Sequence, residues 1–166
     1  MLKRIILLAI VVIPMCAFAQ KFGHINPLPI MQAMPEYTKA QNELQELQKQ
    51  YEGEMKIMQD ELTRKGQEYD KQRDSLPQNI RQRRETELQD LYNRLQQYAQ
   101  ESSQNMQKAS QEKMAEISKK IEAAIQEVGK AGGFIYIFDQ TAGIPFINET
   151  LSTDVSAQVK AKLGLQ

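Results

Sequence analysis

Between Pro35 and Val128 the chain carries a run of helix-forming residues interrupted by one internal proline. Gln, Glu, Lys, Arg and Leu dominate the run, and its apolar residues recur three and four apart. That spacing places a stripe along one face of an α-helix. The interruption, Pro77, lies within Asp74-Ser75-Leu76-Pro77-Gln78-Asn79. Proline lacks a backbone donor and clashes with the preceding turn, so a helix does not easily run through it. The pattern predicts two long helices folded back on each other at Ser75–Asn79.

The stripe of the first helix reads Tyr37, Ala40, Leu44, Leu47, Tyr51, Met55, Met58 and Leu62, then thins to Tyr69 and Leu76. Gly53 and Gly66 lie inside it. Each costs about 1 kcal/mol relative to Ala, which weakens a helix without ending it. The return helix starts near Ile80. Its stripe runs through Leu88, Leu91, Leu95, Tyr98, Ser102, Met106 and Ala109, then Met114, Ile117, Ile121, Ala124 and Val128. The stretch Gln100–Asn105 has no apolar residue. The firm end of the pair is expected where Leu44, Leu47, Ile117, Ile121 and Ile125 meet.

Composition agrees with an elongated helical design. Among 166 residues only 12 are aromatic or Cys, none is Trp, and 21 basic side chains balance 21 acidic ones. A large globular core cannot be filled from such a chain, while the periodic stripe argues against disorder. The balanced charge gives no reason to expect nucleic acid as a partner.

Residues 1–19 are different in kind. Lys3 and Arg4 precede an apolar run from Ile5 to Ile13, and Ala17-Phe18-Ala19 forms a small-x-small cleavage signature. This is the pattern of a secretory signal peptide cut after Ala19. The run is short for a membrane span. The only cysteine, Cys16, follows Pro14-Met15 rather than the small residues of a lipidation site. Cleavage leaves an exported chain without cysteine, carrying 19 basic and 21 acidic residues.

The flanks of the hairpin predict a small α/β body. Lys21–Asn26 reads as a short strand, ended by Pro27 and Pro29. After Gly129 and Gly132-Gly133 stop the second helix, Phe134-Ile135-Tyr136-Ile137-Phe138 reads as a strand buried on both faces. Ile144–Asn148 reads as an edge strand, because Pro145 cannot donate to a ladder. Ser152-Thr153-Asp154 offers caps for a last helix with Val155, Val159 and Leu163 on one face. The expected fold is α+β and mostly α, a long antiparallel hairpin (35–128, tip near 75–79) inserted in a small β-rich body (20–34 and 129–166). Such a body is marginal alone, so the two-faced strand suggests assembly with other copies through Phe134, Ile135, Tyr136, Ile137 and Phe138.

No catalytic constellation is legible, so no enzymatic activity, cofactor or metal is expected. His24 stands alone without cysteine partners and suits a structural role. No glycine-rich phosphate loop precedes a helix. Glu43, Glu46, Glu112 and Glu116 suit solvated helix faces. Asn148-Glu149-Thr150 matches a glycosylation acceptor, a motif common by chance.

Charge is unevenly placed along the hairpin. Arg64 to Arg84 holds seven basic and three acidic residues, while Glu36 to Glu61 holds three basic and seven acidic. The basic tip, with Lys71, Arg73, Arg81, Arg83 and Arg84, is suited to steering acidic clients or approaching an anionic membrane surface. Met55, Met58, Leu62, Tyr69, Tyr92, Tyr98 and Met106 on the shafts are read either as inter-helix packing or as a soft surface for varied apolar partners.

In its layout the chain resembles the Skp/OmpH family of periplasmic chaperones. The resemblance rests on the signal peptide, Phe22-Gly23-His24-Ile25-Asn26, the helix entry Ala33-Met34-Pro35-Glu36 and the Gln-rich hairpin. The strand after Gly132-Gly133 and the capped C-terminal helix complete it. The resemblance implies a periplasmic homotrimer whose arms hold unfolded outer-membrane β-barrel proteins without ATP. Strongly basic family members differ from this slightly acidic chain. The competing reading is an exported coiled-coil spacer of the cell envelope, which would require a uniformly strong seam.

Overall fold

The computed structural model describes residues 20–165; the expected signal peptide and Cys16 lie outside them. Strand β1 (Lys21–Ile25) is followed by helix α1 (Pro27–Ala33) and helix α2 (Pro35–Gln72). A short 3-10 turn (Arg73–Ser75) leads into helix α3 (Gln78–Gly132). Strands β2 (Phe134–Asp139) and β3 (Ser152–Asp154) and helix α4 (Ser156–Lys162) complete the chain. By internal contacts it divides into two units. Among the described residues, one comprises 20–30 together with 121–165, and the other Met31–Lys120.

In the first unit β1 is central and pairs in parallel with β2 on one side and β3 on the other. The core contains Ile25, Ile30, Ala124, Val128, Val155 and Val159, with Ile125, Phe134, Ile137, Leu163 and Leu165 packed against it. Ile125, expected to meet Leu44 and Leu47, thus belongs to the body's core. The expected valine face of α4 is present: Val155 and Val159 are fully buried. Asp154 Oδ1 accepts the Ser156 backbone N–H at 2.8 Å, the capping role expected of that segment. Hydrogen bonds from Ser156 hold the Asp154 carboxyl below the ordinary carboxylate range. Lys162 reaches Glu127 on α3 at 2.6 Å.

Four expectations for this unit need correction. Pro27 and Pro29 do not merely end β1; they open a helix. Asn26 Oδ1 accepts the Leu28 N–H at 3.1 Å, and Pro27 takes the first helical position, where its missing donor costs nothing. Ile144–Asn148 forms no strand; the third strand is Ser152–Asp154. Asn148 instead organises a turn, accepting the backbone N–H and hydroxyl of Thr150 through its side chain and the N–H of Ser152 through its carbonyl. The second helix continues through Gly129 to Gly132, and Gly133 adopts the left-handed conformation (φ 65°) that ends it. Last, β2 is an edge strand with one open face, so a single chain does not bury it on both sides.

Glycine has a packing role here. A Cβ at Gly132 would lie 2.5 Å from the Phe134 ring, and one at Gly23 would lie 3.1 Å from Ile137 Cγ1. Their absence lets both apolar side chains close over the sheet.

The second unit is the hairpin. Met34 is extended (ψ 132°), as the residue before a proline prefers, and Pro35 starts α2. Leu76 is extended for the same reason before Pro77. The Pro77 carbonyl accepts the N–H groups of Ile80 and Arg81 as α3 begins. Helix α2 runs unbroken through Gly53 and Gly66, and open space surrounds the place where each Cβ would be.

Every stripe residue predicted on α2, and on α3 up to Ile117, is buried or half-buried. The helices pair antiparallel through Glu36–Lys120 (2.8 Å), Glu43–Lys113, Tyr51–Tyr98 (edge-on, 6.2 Å), Lys65–Glu87 and Tyr69–Glu85. The seam is uneven: on α2 only Ala40 and Leu44 are buried.

Ser102 is buried in the seam, and its hydroxyl finds no partner among the described residues. Serine is also a poorer helix former than alanine. Ser102→Ala is therefore expected to raise stability by about 1 kcal/mol. Urea unfolding measures this; a lower midpoint would mean that the hydroxyl is satisfied.

Candidate functional site

Two surfaces are open for contact, one on each unit. On the body, an irregularity in the β1–β2 register decides what faces outward. Lys21 pairs with Phe134, but Phe22 pairs with Tyr136 and His24 with Phe138. Ile135 is the extra residue of a bulge, which inserts one position and breaks strict alternation. Phe134 and Ile137 consequently both turn to the core. Ile135, Tyr136 and Phe138 remain exposed, Tyr136 by 60%. Tyr136 and Phe138 stack with each other (5.9 Å between centroids) and with Phe22 (6.4 Å to each). The five residues expected to mediate assembly therefore separate into two that hold the chain's own core and three that are open. Phe22, missed in the sequence, completes the open face; its register partner marks it, and that partner depends on the bulge.

Within β1, His24 has the structural role expected of it. It is buried, its Nδ1 lies 2.9 Å from Ser152 Oγ, and its backbone carbonyl accepts the Val155 N–H. The loop between β2 and β3 exposes Phe146 and Leu151, each by more than three-quarters.

On the hairpin, Met55, Met58, Leu62, Tyr69, Tyr98 and Met106 lie half-buried along the seam, each with part of its surface in solvent. Tyr92 differs: it is 48% exposed, and Ile57, absent from the expected set, is 64% exposed. The basic tip is partly neutralised. Arg73 pairs with Asp74 (3.2 Å), Arg84 with Glu87 (2.9 Å) and Arg64 with Glu68 (2.8 Å). Lys71, Arg81 and Arg83 form no ion pair among the described residues. The shaft carboxylates are solvated, as expected, and Glu43 and Glu112 also pair with lysines.

Electrostatics tie the two helices together. Hydrogen bonds from Lys120, Lys113 and Lys65 hold Glu36, Glu43 and Glu87 below the ordinary carboxylate value of 4.5. The bond to Glu87 raises Lys65 above its ordinary 10.5. Desolvation, followed by the bond to Glu85, raises the Tyr69 phenol. A carboxylate with a depressed folded-state value stabilises the fold above its unfolded value and loses that contribution as pH falls through the folded one. A lysine with a raised value stabilises below its unfolded value and loses that contribution as pH rises through the folded one. The hairpin is therefore expected to melt at lower temperature below pH 4.5 and again above pH 10.5 than at neutrality. Circular dichroism melts followed across this range test it; a flat profile would show that the cross-helix pairs are energetically silent.

The described residues hold no cluster of metal-ligating side chains, and none of their helices is long and apolar enough to cross a membrane. These features define a class of mostly helical α+β proteins in which a hairpin interrupts a small parallel sheet and broad surfaces are open for contact. The chain belongs to the OmpH-like family: the family model described as outer membrane protein (OmpH-like) matches residues 21–163. The fold is also similar to the crystal structure of an OmpH-like candidate outer membrane chaperone from Caulobacter crescentus CB15. The TM-score is 0.74 at 16% identity, covering 87% of this chain and 83% of that one. No curated protein matches the chain at a significant level.

Proposed function

We propose that this chain is an ATP-independent holdase of the periplasm, exported after cleavage near Ala19. It binds unfolded outer-membrane β-barrel proteins and keeps them from aggregating. The observation that carries the reading is the half-covered seam. Beyond Leu44 no residue of α2 is fully buried, so Met and Tyr side chains keep part of their apolar surface available. Many soft, partial contacts suit clients that alternate apolar and polar residues and present no fixed shape. A spacer would gain from a uniformly closed seam instead. Family membership and the Caulobacter likeness support a chaperone role.

The working form in this reading is a homotrimer assembled through Ile135, Tyr136 and Phe138, with no enzymatic step and no cofactor. The cations Lys71, Arg81 and Arg83 add salt-sensitive attraction toward acidic clients or an anionic membrane surface. The test is dilution of a urea-denatured transmembrane β-barrel protein into buffer with and without this chain. Light scattering should stay low with the chain present and no nucleotide added. Scattering equal to the chain-free control would overturn the reading.

A further inference from the structure

Between α2 and α3, where the apolar stripe of α3 is poorest, lies an open groove of about 880 Å³. Gln41, Asn42, Gln45 and Gln48 line it from α2, and Ser103, Gln107 and Ser110 from α3, with Leu44 and Met106 beneath. It contains no charged side chain. Neighbouring grooves differ: one is lined by Glu36, Glu43, Lys113 and Lys120, another by Lys65, Arg84 and Glu87. Gln48 donates to Glu52 at 2.7 Å. Gln41, Asn42, Gln45 and Gln107 are exposed and make no side-chain hydrogen bond to another described residue.

We propose that this amide-lined groove binds the backbone of an extended, unfolded polypeptide. The proposal rests on the holdase reading and gives it a site. A carboxamide carries both an acceptor oxygen and two donor hydrogens. An extended peptide presents one backbone donor and one acceptor at nearly every residue, and each is costly to leave unpaired away from water. Side-chain amides at Gln41, Gln45 and Gln107 can match those groups whatever the client's side chains are. Met106, half-buried, gives an apolar contact for client side chains. Lacking charge, the groove does not distinguish acidic from basic segments, a selectivity that belongs to the tip. Holding by the groove is therefore independent of client sequence and insensitive to salt.

The discriminating variant is the triple substitution Gln41→Met, Gln45→Met and Gln107→Met. Methionine approximates glutamine in shape and helix propensity but removes the amides and adds apolar surface. Gln50→Met, on an exposed residue of α2 outside the groove, is the control. Binding is read from the fluorescence anisotropy of a labelled, urea-denatured transmembrane β-barrel protein diluted into high-salt buffer. The triple variant should bind about tenfold more weakly, and the control should match the unaltered chain. Equal or tighter binding by the triple variant would overturn the groove while leaving the holdase reading intact. No binding by the unaltered chain would overturn both. A second measurement needs no variant: a short alternating Ala–Thr peptide should compete for the site, and its backbone N-methylated counterpart should compete several-fold less well. Equal competition by the two peptides would overturn the proposal.

Discussion

Tyr136→Asp is expected to take the assembled protein apart while leaving each chain folded. In the single chain the Tyr136 side chain is mostly exposed, so an aspartate there stays in water. The chain loses only stacking on Phe22 and Phe138, about 0.5–1.5 kcal/mol. In an assembly that covers this face, the same aspartate becomes an unpaired charge among aromatic rings. The cost is then several kcal/mol for each copy. Sedimentation equilibrium should find a trimer for the unaltered chain and a folded monomer for the variant. An unaltered chain that stays monomeric at micromolar concentration would contradict the assembly.

Ile137→Asp, one residue further along β2, is expected to fail in another way. Ile137 packs against the body's core, and its side chain occupies the space left open at Gly23 and Gly129. A carboxylate there forfeits apolar burial and is desolvated without a partner, a combined loss of about 3–5 kcal/mol. The body should unfold at markedly lower urea. The hairpin spectrum should persist longer, because its seam and ion pairs lie within Met31–Lys120. The opposed results at adjacent positions test which face of β2 is open and which holds the core. Equal, mild effects would mean that Ile137 is not committed to the core.

The helices were largely legible because the constraint is periodic and repeated. Over a long run, no alternative reading places Tyr37, Leu44, Tyr51, Met58, Leu91 and Tyr98 on inward faces. Proline and glycine marked the turn and the helix end for steric reasons that hold locally. The body was less legible. Its strands are short, and their faces depend on one inserted residue whose identity, isoleucine, gives no sign of a bulge. Ile144–Asn148 has strand-like composition, yet Asn148 turns the chain there and Ser152–Asp154, with weak intrinsic preference, takes the ladder. The helix at Pro27 was readable in principle, since Asn26-Pro27 is a cap followed by a first-turn proline. The amide groove was not. It exists only where Gln45 faces Ser103 and Gln107, and that pairing follows from the antiparallel register rather than from either segment alone.

Several copies of this chain together are expected to hold an unfolded barrel protein. The most direct measurement is the mass, in solution, of the complex formed when a urea-denatured transmembrane β-barrel protein is diluted into the purified chain without nucleotide. The expected result is a single soluble species with the mass of three copies plus one client. A client that precipitates while the chain remains in solution alone would contradict it.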